Sequence, residues 1–470
     1  MTYDLIIKNA HYYANDSFFD GDICVAGGKI AAILLPGGSE SHATARVIDA
    51  AGLCVLPGII DSHVHFRDPG RPDREDFYSG SCAAAAGCVT TFCEMPLAIP
   101  PPCNIPNLQN RIDLGKQRSM VDFAFFGAAG YDNRGLLQQL CDAGVIAFKT
   151  FLHPAPAGRE LEFDGLTVND DGQLYMMMEA AAATSGRYFF HCENAHLISA
   201  LEKKLHDEGV EDYSFHYKSR ANIAETESVS TILHFAKATG CKVGIVHISA
   251  PEACELVKQA RLDGVDVVAE TCFHYLTYCH DDIDRFGPYA KCNPPLRSRA
   301  DMEKLWDYIY DGTITIIGSD HAPFIPSEKE IGVTDGIWKA YSGMPAIEML
   351  LPIMLTHVNS GRLTLGQLAR LISENTARLY GMFPQKGCIA VGCDADFAIL
   401  DLEREYMTSI DDMYSRSKAI NKLFDNTRVK GKPAYTVMRG KVLMEDGKVD
   451  LDQRGWGRFV PHKNAARPLS

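Results

Sequence analysis

Val55–Leu56–Pro57–Gly58–Ile59–Ile60–Asp61–Ser62–His63–Val64–His65 is an apolar run that ends in two histidines separated by a single valine. Residues i and i+2 of an extended chain point to the same side, so His63 and His65 can offer two imidazoles to one metal ion. Neutral imidazole suits zinc and its neighbours. Among 16 histidines in 470 residues one such pair is a weak signal alone. Its meaning depends on whether the rest of the chain supplies ligands at matching places.

Outward from this stretch, strand-like segments recur at 54–60, 89–95, 121–128, 145–150, 187–192, 242–248, 265–272 and 314–319. Segments of helical character lie between them, among them 171–185, 226–239, 251–262 and 300–310. Eight strands alternating with helices predict an α/β fold, a (β/α)8 TIM barrel over 57–385. The alternative, a doubly wound open sheet, usually binds its ligand through a Gly-rich first turn. No Gly-x-Gly-x-x-Gly follows any of these strands. Both chain ends have another texture. Strands are expected at 2–10, 22–34 and 46–51, with turns at 15–16, 27–28 and 36–38; two more are expected at 396–401 and 435–443. These ends, 1–56 and 386–455, predict a small β-sandwich into which the barrel is inserted. Residues 456–470 read as a loosely held tail.

Composition narrows the function classes. A hydrophobic share of 46% and a charged share of 23% are those of a globular protein. A net charge of −14 argues against nucleic-acid or anionic-membrane partners. Asp4 and Lys8 interrupt the N-terminus where a signal peptide needs an apolar run, and no stretch is long and apolar enough to span a bilayer. A cytoplasmic location is the expectation. The 15 cysteines are scattered, odd in number and form no Cys-x-x-Cys, so they read as small buried thiols of a reducing compartment.

Side chains at the carboxyl ends of barrel strands converge on one site. Here those ends carry His63 and His65, Lys149, His191, His247 and Asp320. Each has an ordinary reading: a hydrogen-bonded core histidine, a helix N-cap aspartate, a lysine reaching for the surface. All six falling at equivalent heights favours one metal site. A protonated Lys149 beside cations is disfavoured by charge and burial. As a neutral amine it can add carbon dioxide and become a carbamate, an anion able to bridge two metals.

These motifs resemble the cyclic amidohydrolases of the amidohydrolase superfamily: allantoinases, dihydroorotases and the hydantoinases with dihydropyrimidinases. The similarity runs from Pro57–Gly58 to Gly440. The resemblance implies two divalent ions, with zinc the expected metal. One would be held by His63, His65 and Asp320, the other by His191 and His247, with N6-carboxylated Lys149 as the bridge. It also implies the inserted-barrel layout, a homotetramer, and hydrolysis of a cyclic amide or ureide in which Asp320 moves the proton.

The signals for the ring conflict. Glu94–Met95–Pro96–Leu97, residues 270–276, residues 290–297 and residues 383–387 resemble allantoinase, and Leu97 stands where dihydroorotases usually have asparagine. Arg67, by contrast, resembles the dihydroorotase arginine that holds a substrate carboxylate with its fork. It could equally pair with Asp68 or another loop carboxylate. Residues 342–348 lean to hydantoinase and dihydroorotase, and the loop 153–159 matches none closely. The expectation is an allantoinase-like hydrolase, with an acidic ring held by Arg67 as the alternative. Asn293 is placed to meet the ring. His321 and His274 read as packing residues, as do Cys192 and Cys292. A non-catalytic scaffold is disfavoured because all six ligand positions are filled, and a mononuclear deaminase because Lys149 is present.

Overall fold

The computed structural model describes residues 2–156, 158–466 and 468–469. Short segments between turns form β1 (Tyr3–Ala14), β2 (Ser17–Ala26), β3 (Lys29–Leu34), β4 (Thr44–Asp49) and β5 (Cys54–Pro57). Asn15 and Asp16 both take positive φ between β1 and β2, the turn whose twist suits a hairpin. The barrel strands are β6 (Ile59–Val64), β7 (Val89–Glu94), β8 (Asp122–Ala128), β9 (Ala147–Phe151), β10 (Tyr188–His191), β11 (Val243–Ile245), β12 (Val267–Cys272) and β13 (Ile314–Gly318). The chain then returns through β14 (Phe397–Met407), β15 (Arg428–Met438), β16 (Lys441–Glu445) and β17 (Lys448–Val449).

The eight barrel strands pair in parallel in sequence order. A parallel bridge from Val64 to His321 brings the last strand back to the first. Both faces of these strands are covered, so they read as continuous apolar runs rather than alternating ones. Ile60, Phe126, Phe189 and Val246 fill the interior with Tyr380 and Met382. The two chain ends share one nine-stranded mixed sheet: β5 pairs with β1 on one side and antiparallel with β14 on the other. Leu5, Ile23, Val55, Phe397 and Val437 share its core. Among the described residues no helix is long and apolar enough to cross a membrane.

Three expected strands differ. The segment 54–60 is two strands, β5 in the mixed sheet and β6 in the barrel, because Gly58 switches the backbone between them. Its N–H donates to the Asp396 carbonyl at 2.8 Å, and a Cβ there would lie 2.2 Å from Thr90 Oγ1. The segment 435–443 is broken by Arg439 and Gly440, whose φ values of 47° and 74° make a turn. The segment 242–248 is a strand only to Ile245, because His247 turns out at φ 39°. The tail is not loosely held. Val460 N–H donates to Phe123 O at 2.8 Å, Phe123 N–H to Arg458 O at 3.0 Å and His462 N–H to Gly144 O at 3.1 Å. These partners lie at the amino ends of the barrel strands.

Candidate metal centre

The carboxyl ends of the barrel strands open into a cleft of about 630 Å3, lined by His63, His65, Lys149, His191, His247 and Asp320 with Arg67 and Asn293. The structure thus brings together all eight residues singled out in the sequence.

His63 is gripped at its far side. Its Nδ1 lies 2.8 Å from Glu270 Oε1 on β12, and Ser62 Oγ donates to the other oxygen of that carboxylate at 2.6 Å. The ring therefore presents Nε2 to Asp320 Oδ1, 3.3 Å away, while His65 Nε2 lies 3.4 Å from the same oxygen. Tetrahedral zinc with bonds of about 2.0–2.1 Å sets ligand atoms about 3.3 Å apart. Both distances to Asp320 Oδ1 fit that spacing, and the three ligand atoms all lie within 4.8 Å of one another. On the other side His191 Nδ1 approaches His247 Nε2 at 3.0 Å, and Glu193 holds His191 by Nε2 at 2.8 Å. The His63 and His247 ring centroids are 5.4 Å apart, so the two groups adjoin.

Burial keeps the donors in the form that metals need. It pushes the imidazoles of His65 and His247 well below their ordinary value, with neighbouring cations adding to the effect. Lys149 Nζ is buried without a hydrogen-bond partner among the described residues. Burial brings its ammonium down to about 8 even though Asp320 and Glu270 favour the charge. Burial raises the Asp320 carboxyl, against the pull of His63 and Lys149. Arg67, His247 and Asp320 all take positive φ, at 61°, 39° and 46°. Such non-glycine conformations cost of order 1–3 kcal/mol each and persist where the surroundings hold them, commonly at functional sites. A second acidic group, Asp122, Asp394 and Asp396, lies elsewhere. Lys386 Nζ reaches all three carboxylates, at 2.7, 3.3 and 2.7 Å.

Arg67 does not pair with Asp68, which is bound by Arg118 at 2.6 Å. Its Nη1 donates to Glu162 Oε1 at 2.8 Å. Asn293 Oδ1 is buried with no partner among the described residues. His321 turns away from the cleft: its Nδ1 accepts from Ile347 N–H at 3.3 Å. His274 is fully buried, outside the cleft lining, and held down to about 3 by burial. Burial pushes the Cys292 thiol up to about 12 and the Cys192 thiol higher, so neither is a thiolate nucleophile.

The sequence reading missed the carboxylates that orient these groups, Glu162, Glu193 and Glu270. Glu193 stands two places after His191 in its strand end, a signal that was available. It also missed His153, which lines the cleft. Its Nδ1 lies 2.7 Å from Pro154 O. A carbonyl only accepts, so Nδ1 carries the hydrogen and Nε2 keeps a lone pair.

The amidohydrolase family model matches residues 54–443. The chain is 36% identical over 464 residues to the L-hydantoinase of Paenarthrobacter aurescens, covering 98% of this chain and 99% of that one. It is 36% identical over 455 residues to an allantoinase of Desulfitobacterium hafniense (strain DSM 10664 / DCB-2), covering 95% and 96%. Among solved structures, the L-hydantoinase (dihydropyrimidinase) from Arthrobacter aurescens superposes with a TM-score of 0.91 at 35% identity, covering 98% of this chain and 100% of that one. A D-hydantoinase from Thermus sp. superposes at 0.88 with 29% identity, covering 98% and 100%.

Proposed function

The chain belongs to the amidohydrolase family, and on that basis we propose that it hydrolyses a ring amide of a neutral cyclic ureide, opening allantoin to allantoate. The observation that carries the reading is the convergence of three ligand atoms at 3.3 and 3.4 Å beside a second histidine pair at 3.0 Å. His63, His65 and Asp320 would hold one divalent ion and His191 and His247 the other, with Lys149 as its carbamate joining both; zinc suits this donor set. The ions, when bound, supply an activated water and polarise the carbonyl that it attacks. Asp320 takes the proton of that water and returns it to the leaving ring nitrogen. A carbon–oxygen bond forms, the ring carbon–nitrogen bond breaks, and the product is a ureido acid. Glu270 and Glu193 keep His63 and His191 in register. Asn293 Oδ1 and His153 Nε2 are neutral acceptors on cleft-lining residues and would suit ring N–H groups.

A second reading is a hydantoin with an apolar substituent. Leu97, Phe151, Phe163, Phe324 and Trp338 give the cleft a broad apolar wall, and the 36% identity to an L-hydantoinase points the same way. An acidic ring held by Arg67 is the weaker alternative, since Glu162 already occupies that side chain. The proposal extends to a cytoplasmic homotetramer with no nucleic-acid or membrane partner. The free cysteines support a reducing compartment.

The test is hydrolysis by zinc-loaded protein of allantoin, hydantoin, 5-benzylhydantoin, dihydrouracil and dihydroorotate. Neutral rings are expected to turn over, allantoin fastest. Asp320→Asn should lower kcat by about 1,000-fold or more, with bound metal measured alongside. A variant that keeps both metals and near-normal turnover would remove Asp320 from the mechanism.

A further inference from the structure

Glu162 sits on the loop after β9 and is 5% exposed. Its two oxygens are divided between two arginines that line the cleft. Oε1 accepts from Arg67 Nη1 at 2.8 Å, and Oε2 accepts from Arg159 Nε at 2.6 Å. A third arginine, Arg74, stands 4.0 Å from Oε1. Arg67 Nε is buried and has no partner among the described residues. Burial alone would raise the Glu162 carboxyl, but Arg67 and Arg159 outweigh it and hold the group down to about 2.

A guanidinium recognises a carboxylate best through two parallel N–H donors. Arg67 offers a substrate no undivided fork, because an Nη1 donor is spent on Glu162 and Nε is buried. An incoming carboxylate would compete with Glu162 for these arginines, and displacing it would leave a buried anion without its partners, which is strongly unfavourable. We propose that Glu162 is a specificity-determining residue: its carboxylate engages Arg67 and Arg159 from within the chain and so sets the cleft for rings without an acidic substituent. This rests on the reading of the cleft as the hydrolytic site. Glu162 touches neither the metal ligands nor the reacting atoms. It selects by balancing the charge of the two guanidiniums that would otherwise draw an anion into the cleft.

The experiment compares zinc-loaded wild type, Glu162→Ala, Glu162→Gln and Glu162→Asp on hydantoin and allantoin against 5-carboxymethylhydantoin and dihydroorotate. In Glu162→Ala the ratio of kcat/KM for acidic over neutral rings should rise by about 100-fold, carried mainly by a lower KM for the acidic rings. Glu162→Asp should retain the wild-type preference. Sodium acetate should compete with the acidic rings in Glu162→Ala and restore lost turnover of neutral ones, with no such effect on wild type. A purely structural role would move none of these preferences. If Glu162→Ala fails to fold, Glu162→Gln, which keeps the shape and loses the charge, should show the same direction of change. Wild type that hydrolyses acidic rings as well as neutral ones overturns the proposal, as does an unmoved ratio in folded variants. If wild type opens no ring at all, the functional reading falls instead. Calorimetric titration with 5-carboxymethylhydantoin then decides the question, since Glu162→Ala and Glu162→Gln should bind it while wild type and Glu162→Asp should not.

Discussion

At Glu348 burial and hydrogen bonding pull in opposite directions. Its Oε1 accepts from Tyr414 N–H at 2.6 Å and Ser415 N–H at 3.1 Å, which favours the anion. Burial wins and pushes the carboxyl up to about 8 from the ordinary 4.5. The folded state therefore keeps a proton that the unfolded chain releases near 4.5. The stabilisation is fully present below that pH and is lost as pH rises towards about 8. Glu348→Gln should leave Tm nearly unchanged at pH 4.5 and raise it relative to wild type at pH 9, by a difference on the order of a few kcal/mol. Calorimetry at both pH values checks this, and an equal Tm difference at both sinks it. At the same scale, His63, His65, Lys149, His191, His247 and Asp320 were legible in the sequence because strand ends of one barrel sit at one height. Glu162 and His153 were not. They lie on a loop whose course no periodicity fixes, so nothing in the sequence paired Glu162 with a residue 95 positions away.

Among the elements, the β5–β6 junction shows what a strand pattern leaves open. An apolar run from 54 to 60 is consistent with one strand, and only the packing around Gly58 divides it between two sheets. Besides the 2.2 Å approach to Thr90 Oγ1, an added Cβ would meet Thr90 Cγ2 at 2.7 Å and Asp396 Cβ at 2.9 Å. Gly58→Ala should therefore destabilise the protein by about 1–3 kcal/mol, the usual cost of overpacking. Because β6 carries His63 towards the cleft, bound zinc should fall with it. Trimming the neighbour in a Gly58→Ala/Thr90→Ala double variant should recover part of the loss. An unchanged Tm in the single variant, read by thermal unfolding, would mean that β6 and β7 part at no cost. The break at Arg439 and Gly440 was signalled, since Arg439–Gly440–Lys441 interrupts the apolar run with a glycine between two cations. The eight-strand alternation itself was readable, because strands buried on both faces stand out as apolar runs between amphipathic helices.

Over the whole molecule the two ends of the barrel carry separate duties. The cleft occupies the carboxyl ends of the strands, while residues 456–462 run across the amino ends. Phe459 stacks at 5.9 Å on Phe125 and lies 6.2 Å from Phe123, and Trp456 packs under Arg439 at 4.7 Å. Trp456, Phe459 and Val460 stand at i, i+3 and i+4, the spacing of a helical face, yet the segment packs as extended chain, so the period gave no guide to how it binds. Backbone hydrogen bonds add to these ring contacts, continuing to Leu469 N–H on Ala143 O at 3.0 Å. Removing residues 456–470 should uncover Phe123 and Phe125, both fully buried in the intact chain. Each large apolar side chain so exposed costs about 1.5–3 kcal/mol. The truncated protein should unfold at a lower temperature and bind a hydrophobic dye more strongly. At temperatures where it stays folded, kcat/KM and bound metal should match the full chain, because no described residue of this segment lines the cleft. Thermal unfolding, dye fluorescence and turnover measured side by side check the separation. Loss of turnover or of zinc in the folded truncated protein would show that the amino ends of the strands govern the cleft after all.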